Sequence, residues 1–344
     1  MKSFKKYVVL ILCCIFAASC AADPTDTDKQ ENAEIDTPPE QIILTAAVQN
    51  GLSDASMQGF EYFIEKVEAI SNGYIKIEIT QGNDILEMLD KGYDIAFASN
   101  AEFARANGDF LIYSSPFYFT DYNHLTMTLN SQQFYSAMRN TNISLLNSMP
   151  LGAFYDGNNY IISSREEMYD TIDQYNGRLI NIIGEQPIFE NVLDDLGADI
   201  KDRSIDYMLS NFGKNRNISA MECSIDLLGD ITKREKVESF HICKSFHSAR
   251  INWIMLSQPT REKLSEYEIA VLTEAMAYAV AKNDSIVISN EQKSLELAEE
   301  MGGVMTAPNY NEFFEAAAES IQNSDKFSGL WDWQLYNEVR RMAL

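Results

Sequence analysis

The chain has 344 residues, with 27 Lys and Arg against 51 Asp and Glu, a formal charge of −24. Such a surface repels phosphates and anionic lipid, which argues against a nucleic-acid binder and against a protein lying flat on a bilayer. Charged residues at 23% and apolar residues at 46% are globular values, the length predicts two domains or lobes, and five Cys do not make a disulfide scaffold.

Residues 1–19 read as a secretory signal peptide. Lys2, Lys5 and Lys6 precede a run of 12 apolar residues, Tyr7 to Ala18. A permanent membrane span needs about 20. Ala17-Ala18-Ser19-Cys20 resembles a bacterial lipobox, with Ala17 in place of the usual Leu. The expectation is lipidation at Cys20; an ordinary cleavage site with an incidental Cys is the alternative. Residues 20–40 are then the lipidated Cys and a disordered acidic tether, rich in Asp, Glu, Thr and Pro.

In chain order, Ile42 to Val48 reads as a buried strand. Asp54 or Ser53 caps a helix whose Met57, Phe60, Phe63, Ile64, Val67 and Ile70 share one face, stopped by Asn72-Gly73. Tyr74 to Thr80 alternates as a half-buried strand. A short helix near Asp84 to Lys91 and a strand over Tyr93 to Ala98 follow, so β-α-β-α-β predicts a parallel sheet. A second block has strands at Leu151 to Tyr155, Tyr160 to Ser163 and Arg178 to Ile183, a helix from Gln186 to Leu196, and a strand at Ile254 to Ser257. Helices are predicted at Pro259 to Ala281, Glu291 to Met301, Asn311 to Gln322 and Trp331 to Met342. Two α/β blocks place ligands beyond strand C-termini, in a cleft between lobes.

Catalytic motifs are absent from the sequence. His124, His241 and His247 form no H-E-x-x-H, and there is no G-x-S-x-G, phosphate loop or G-x-G-x-x-G. No metal or cofactor is indicated, and an enzyme is disfavoured. Cys223 and Cys243 either form one disulfide or remain buried thiols.

The soluble part, from about Ile42 to Gln322, resembles the extracytoplasmic solute receptors of tripartite ATP-independent periplasmic (TRAP) transporters, of the bacterial solute-binding protein family 7 type. The most specific stretch is Ser115-Pro116-Phe117-Tyr118-Phe119-Thr120-Asp121-Tyr122-Asn123-His124, close to the family's Pro-Phe-x-Phe-x-Asp-Tyr-x-His. Ser71 to Glu78, Gly92 to Ala96, Gly157 and Ile218 to Ser224 match further pieces in order. The resemblance implies an α/β, two-lobed periplasmic-binding-protein-like fold with an interlobe cleft, hinge strands and long C-terminal helices. Lobe I is expected at 41–154 with about 250–285 returning to it, lobe II at 155–249, and C-terminal helices at 286–344. The implied partners are a small polar solute and an integral-membrane TRAP permease.

The family holds a ligand carboxylate with an Arg four residues after the Gly that opens the second-lobe strand. Counted from Gly177, that position is Asn181. A second family Arg, two after Gly157, is Asn159. The family's Glu-Asn-Pro is Glu222, Cys223 and Ser224, the first-strand loop position is Gln49, and the position after the third strand is Ser99. Ser204 falls where the family has an aromatic, and His247 where it often has His. With both cationic anchors replaced, the solute is expected to be neutral or zwitterionic. Arg178, or Arg250 in a loop, is the candidate displaced cation. The alternative is a lipoprotein of the same fold that senses a solute or binds a partner without transport.

Overall fold

Ile42–Gln49 (β1) buries Leu44, Ala46 and Val48 on one face and Ala47 on the other. The computed structural model describes residues 41–163, 168–183, 186–212, 220–224, 227 and 240–341. The predicted signal, Cys20 and the tether lie outside them.

Ser53 caps Asp54–Ile70 (α1), its hydroxyl accepting from the Ser56 N–H. Ile75–Gly82 (β2) runs parallel to β1, from Ile42 beside Ile75 to Gln49 beside Gly82. Ile85–Asp90 (α2) leads to Ile95–Ser99 (β3), parallel to β1 on its other side. The first block thus has the predicted parallel order. Asn100–Ala104 (α3), a 3-10 turn at Gly108–Ser114, Tyr122–Leu129 (α4) and Gln132–Leu146 (α5) follow, none of them anticipated from periodicity.

Ser148–Ser163 (β4) is one strand of 16 residues where two were expected. It joins the halves of a sheet that has ten strands among the described residues. Its first part pairs antiparallel with Ala249–Ser257 (β9), and β9 pairs with β3. Its last residues, from Asn159 on, pair with Ala220–Ser224 (β7) on one side and Phe240–Cys243 (β8) on the other. Leu179–Ile182 (β5), Asp199–Asp202 (β6) and Gly303–Thr306 (β10) complete the second half, with Pro187–Asp195 (α6) and Ile205–Asn211 (α7) between them in the chain. This is the expected two-lobed α/β architecture. The register shifts between Tyr155 and Asn158, where Gly157 adopts φ +94°; that irregularity is what split the strand in the sequence.

Gln258–Lys263 (α8) precedes Glu266–Glu300 (α9), a helix of 35 residues where the sequence predicted two. Ser265 and Glu268 form a capping box that starts it. The polar stretch Lys282 to Asn290 looked like a break, but it contains neither Gly nor Pro. Asn283 is fully buried there and donates to the Tyr155 carbonyl at 2.7 Å, so α9 is stitched to β4. Tyr310–Asn323 (α10) and Trp333–Arg341 (α11) close the chain.

The Ser115–His124 motif works as packing and capping. Phe117, Tyr118 and Phe119 are buried, Asp121 caps α4, and Arg340 of α11 donates to the Tyr118 carbonyl at 2.9 Å. His124 is buried; burial, then the nearby Arg340 charge, holds its imidazole down at about 4. Its Nδ1 accepts from the Thr120 N–H. With the folded value below the unfolded one of 6.5, the unfolded chain takes up this proton first. The contribution is complete above pH 6.5 and is lost as pH falls from 6.5 toward 4, by ~3 kcal/mol. Chemical unfolding of His124→Gln should show a shallower decline across that window than the parent protein. Parallel declines would place the proton uptake elsewhere.

Candidate functional site

The C-terminal ends of β1 and β3 meet at Gln49 and Ser99, where the Gln49 Oε1 accepts from the Ser99 N–H at 2.7 Å. Ser99 Oγ caps α3. Both residues line a cavity of about 360 Å³, with Ser53, Asp156, Arg250 and Asn252 on its other walls. A second cavity, of about 410 Å³, is lined by Asn159, Glu222, Cys223 and Arg250, together with Gln186 and three aliphatic side chains, Ile183, Ile205 and Leu227. A third, of about 260 Å³, holds Asp156, Gly157, Arg250 and Glu291. Arg250 is common to all three. The three cavities thus meet at this side chain, beside the joint of β4 and β9.

Arg250 lies in β9, opposite the β4 irregularity, and not in the predicted loop. The apolar run from Ile254 caught only the end of that strand. Its Nε and Nη2 donate to the Asp156 carbonyl at 3.0 and 2.6 Å. A guanidinium has five N–H donors, so three remain for the cleft. Among the described residues it is the one cation on these walls. Arg178 is exposed at the start of β5 and lines none of the three cavities.

The Asp156 carboxylate accepts from Ser53 Oγ and, at 2.9 Å, from Ser56 Oγ, which itself accepts from Asn252. On α9, Glu291 accepts from the Tyr155 hydroxyl and from the Asn158 N–H at 2.9 Å. Gly157 lies between these anchors. A Cβ there would stand 2.8 Å from Arg250 Nη2. We expect Gly157→Ala to lose about 1–2 kcal/mol through its positive φ and also roughly tenfold in solute affinity by displacing the guanidinium. Gly73→Ala, with φ +78° and open space around it, should lose stability alone. Equal affinities for the two variants would remove Arg250 from the binding surface.

Glu222 is 1% exposed. One oxygen accepts from Asn159 Nδ2, the other from Gln186 Nε2 at 2.9 Å. His247 Nε2 stands 3.4 Å away without forming a hydrogen bond, while its Nδ1 meets Ser245 Oγ at 2.5 Å. The His247 ring is stacked on Phe189. It is a packed structural group behind the cleft wall, as is Trp253, which donates to Asn100 Oδ1.

Asn181 is the candidate that the structure sets apart. It is 1% exposed, donates to the Ala220 carbonyl at 3.0 Å and lines none of the three cavities. Its amide ties β5 to β7. Ser204 caps α7, and the next residue, Ile205, reaches the cleft. Gln186, Asp156 and the three aliphatic residues went unforeseen; only Ile205 and Asp156, one residue from Ser204 and Gly157, had a neighbouring signal.

Cys223 and Cys243 are free and buried. Cys223 is beside Tyr160 and Cys243 beside Ile161, on opposite sides of β4. Two strand spacings place their Cα atoms roughly 10 Å apart, too far for a disulfide. Burial pushes both thiols up, Cys243 to about 12, so neither is a ready thiolate.

The family model for bacterial extracellular solute-binding proteins, family 7, matches residues 47–326. The chain belongs to this family. No curated protein sequence matches it. Among solved structures, a TRAP periplasmic solute-binding protein from Escherichia fergusonii, in an apo open form, is 20% identical, with a TM-score of 0.71 over 87% of this chain and 99% of that one. One from Ochrobactrum anthropi, its C-terminus bound in the ligand-binding pocket, is 15% identical, with a TM-score of 0.72 over 88% and 95%. One from Haemophilus influenzae with bound L-gulonate is 15% identical, with a TM-score of 0.62 over 88% and 100%. The fold of this receptor is thus that of the TRAP solute-binding proteins, a family that binds small solutes and works with membrane permeases.

Proposed function

We propose that this receptor captures a small polar solute in the cleft centred on Arg250 and delivers it to the permease of a TRAP-type secondary importer. The reading rests on one observation above all: three cavities, lined from both halves of the sheet, converge on a single guanidinium that keeps free donors. A solute held there touches both lobes, and closing them around it is a hinge motion. Lobe I is assigned to 41–154 with 250–285, lobe II to 155–249, and β4 and β9 are the hinge strands. Gln49, Ser99, Asn159, Glu222, Cys223 and Arg250 form the walls; Asn181 supports them from the β5–β7 ladder. Cys20 carries a lipid anchor, and the acidic tether lets the receptor range above the membrane.

Asn159 brings no charge to the cleft where the family resemblance implies Arg, so a neutral or zwitterionic solute fits better than a dicarboxylate. Thermal unfolding of the full chain in detergent, against dicarboxylates, keto acids, uronic and sialic acids, amino acids, neutral sugars and nucleosides, tests the assignment. A solute at 100 times its dissociation constant adds about 2.7 kcal/mol. A shift with a neutral or zwitterionic member is expected. Flat unfolding curves across the panel would count against a transport receptor.

A further inference from the structure

Glu222 presents an electrostatic problem. It is 1% exposed and forms part of the cleft wall, yet its hydrogen-bond donors, Asn159 and Gln186, are neutral amides. His247 supplies a counter-charge only when protonated, and its Nε2 is 3.4 Å away. Among the described residues no Lys or Arg is paired with it, and a buried carboxylate without a cation is costly. On the same 410 Å³ cavity stands Arg250, whose Nε is 4.0 Å from the Asp156 carboxylate and whose guanidinium keeps three N–H groups beyond its two bonds to the Asp156 carbonyl. The same cavity is lined by the aliphatic side chains of Ile183, Ile205 and Leu227, and Ile205 is 45% exposed.

An anion site, a cation site and an apolar wall on one small cavity describe a particular chemical class. We propose that the solute is a zwitterionic α-amino acid with an aliphatic side chain. Its ammonium pairs with Glu222, its carboxylate takes the free donors of Arg250, and its side chain packs on Ile183, Ile205 and Leu227. An ammonium completes the coordination of Glu222, because the two amides leave lone pairs on both oxygens. The carboxylate suits the planar fork of Arg250. Closure then covers Ile205, which is left half-exposed in the open cleft. The assignment rests on the receptor reading above and narrows it to one solute class.

Calorimetric titration of the full chain with leucine, isoleucine, valine and methionine tests it. Each is compared with the same molecule lacking one charge: the 2-oxo acid for the ammonium, the amide for the carboxylate. At least one amino acid should bind, and each of its two analogues should be weaker by at least about thirtyfold. Glu222→Gln should erase the preference over the 2-oxo acid while keeping the preference over the amide. The analogue series on the unaltered protein does not depend on that variant folding. A 2-oxo acid that binds as tightly as its amino acid overturns the proposal. So does unchanged amino-acid affinity in folded Glu222→Gln, which would leave His247 as the counter-ion. If no amino acid binds but a sugar or organic acid does, the zwitterion assignment falls and the receptor stands. If no solute of any class binds, both fall.

Discussion

Replacing Arg250 with Gln is expected to weaken solute binding by about a hundredfold with little change in stability. The magnitude follows from the loss of a charge-assisted, two-pronged contact inside a cleft that closes over it; removing one partner of such a pair typically costs about 2–5 kcal/mol. The fold should tolerate the change. Arg250 is part-exposed, its two internal hydrogen bonds go to one carbonyl, and a Gln amide can supply one of them. Arg250→Lys keeps the charge and loses the fork, so an intermediate loss of roughly tenfold is expected. Titration calorimetry with the strongest binder reads both variants. A loss below tenfold in the Gln variant would mean that no charged group of the solute sits at Arg250, leaving a neutral solute held by hydrogen bonds.

Phe97→Ala should remove about 3–5 kcal/mol of stability. The ring is fully buried in β3, stacked on Phe60 of α1 at 4.6 Å between centroids and edge-on to Phe154 of β4 at 5.5 Å. It therefore joins a helix, a central strand and the strand that continues into the second lobe. Three rings meeting in this way leave a cavity that their neighbours cannot fill without abandoning the sheet register. A lower midpoint in urea with an unchanged slope is the expected signature. A loss near 1 kcal/mol would show that the core collapses around the missing ring.

The parallel block β1-α1-β2-α2-β3 was legible because each element carries its own period: alternation in β2, one apolar face on α1, and stops at Asn72-Gly73 and Gly92. Where tertiary contacts decide, local pattern misled. β4 was cut at Gly157, a break in pairing but not in the strand. The long helix was left open between Ala281 and Glu291, a gap that includes Asn283 and Asp284, weak helix formers that β4 and α4 hold by hydrogen bonds. The family motif singled out Asn159, Glu222 and Cys223, and strand register brings the three to one cavity. The Asn181 amide bonds a neighbouring carbonyl, and a position in a sequence motif does not say whether an amide faces a cleft or such a carbonyl. Glu222 and Arg250 were both legible as candidates, yet that they line one cavity appears only when β4, β7 and β9 are laid side by side.

Small-angle X-ray scattering from the full chain, with and without a saturating amount of the solute that stabilises it most, tests the hinged-receptor claim most directly. A smaller radius of gyration is expected with solute, as the lobes close around Arg250, and no such change for Arg250→Gln at the same solute concentration. An unchanged radius in a protein that demonstrably holds its solute would contradict it.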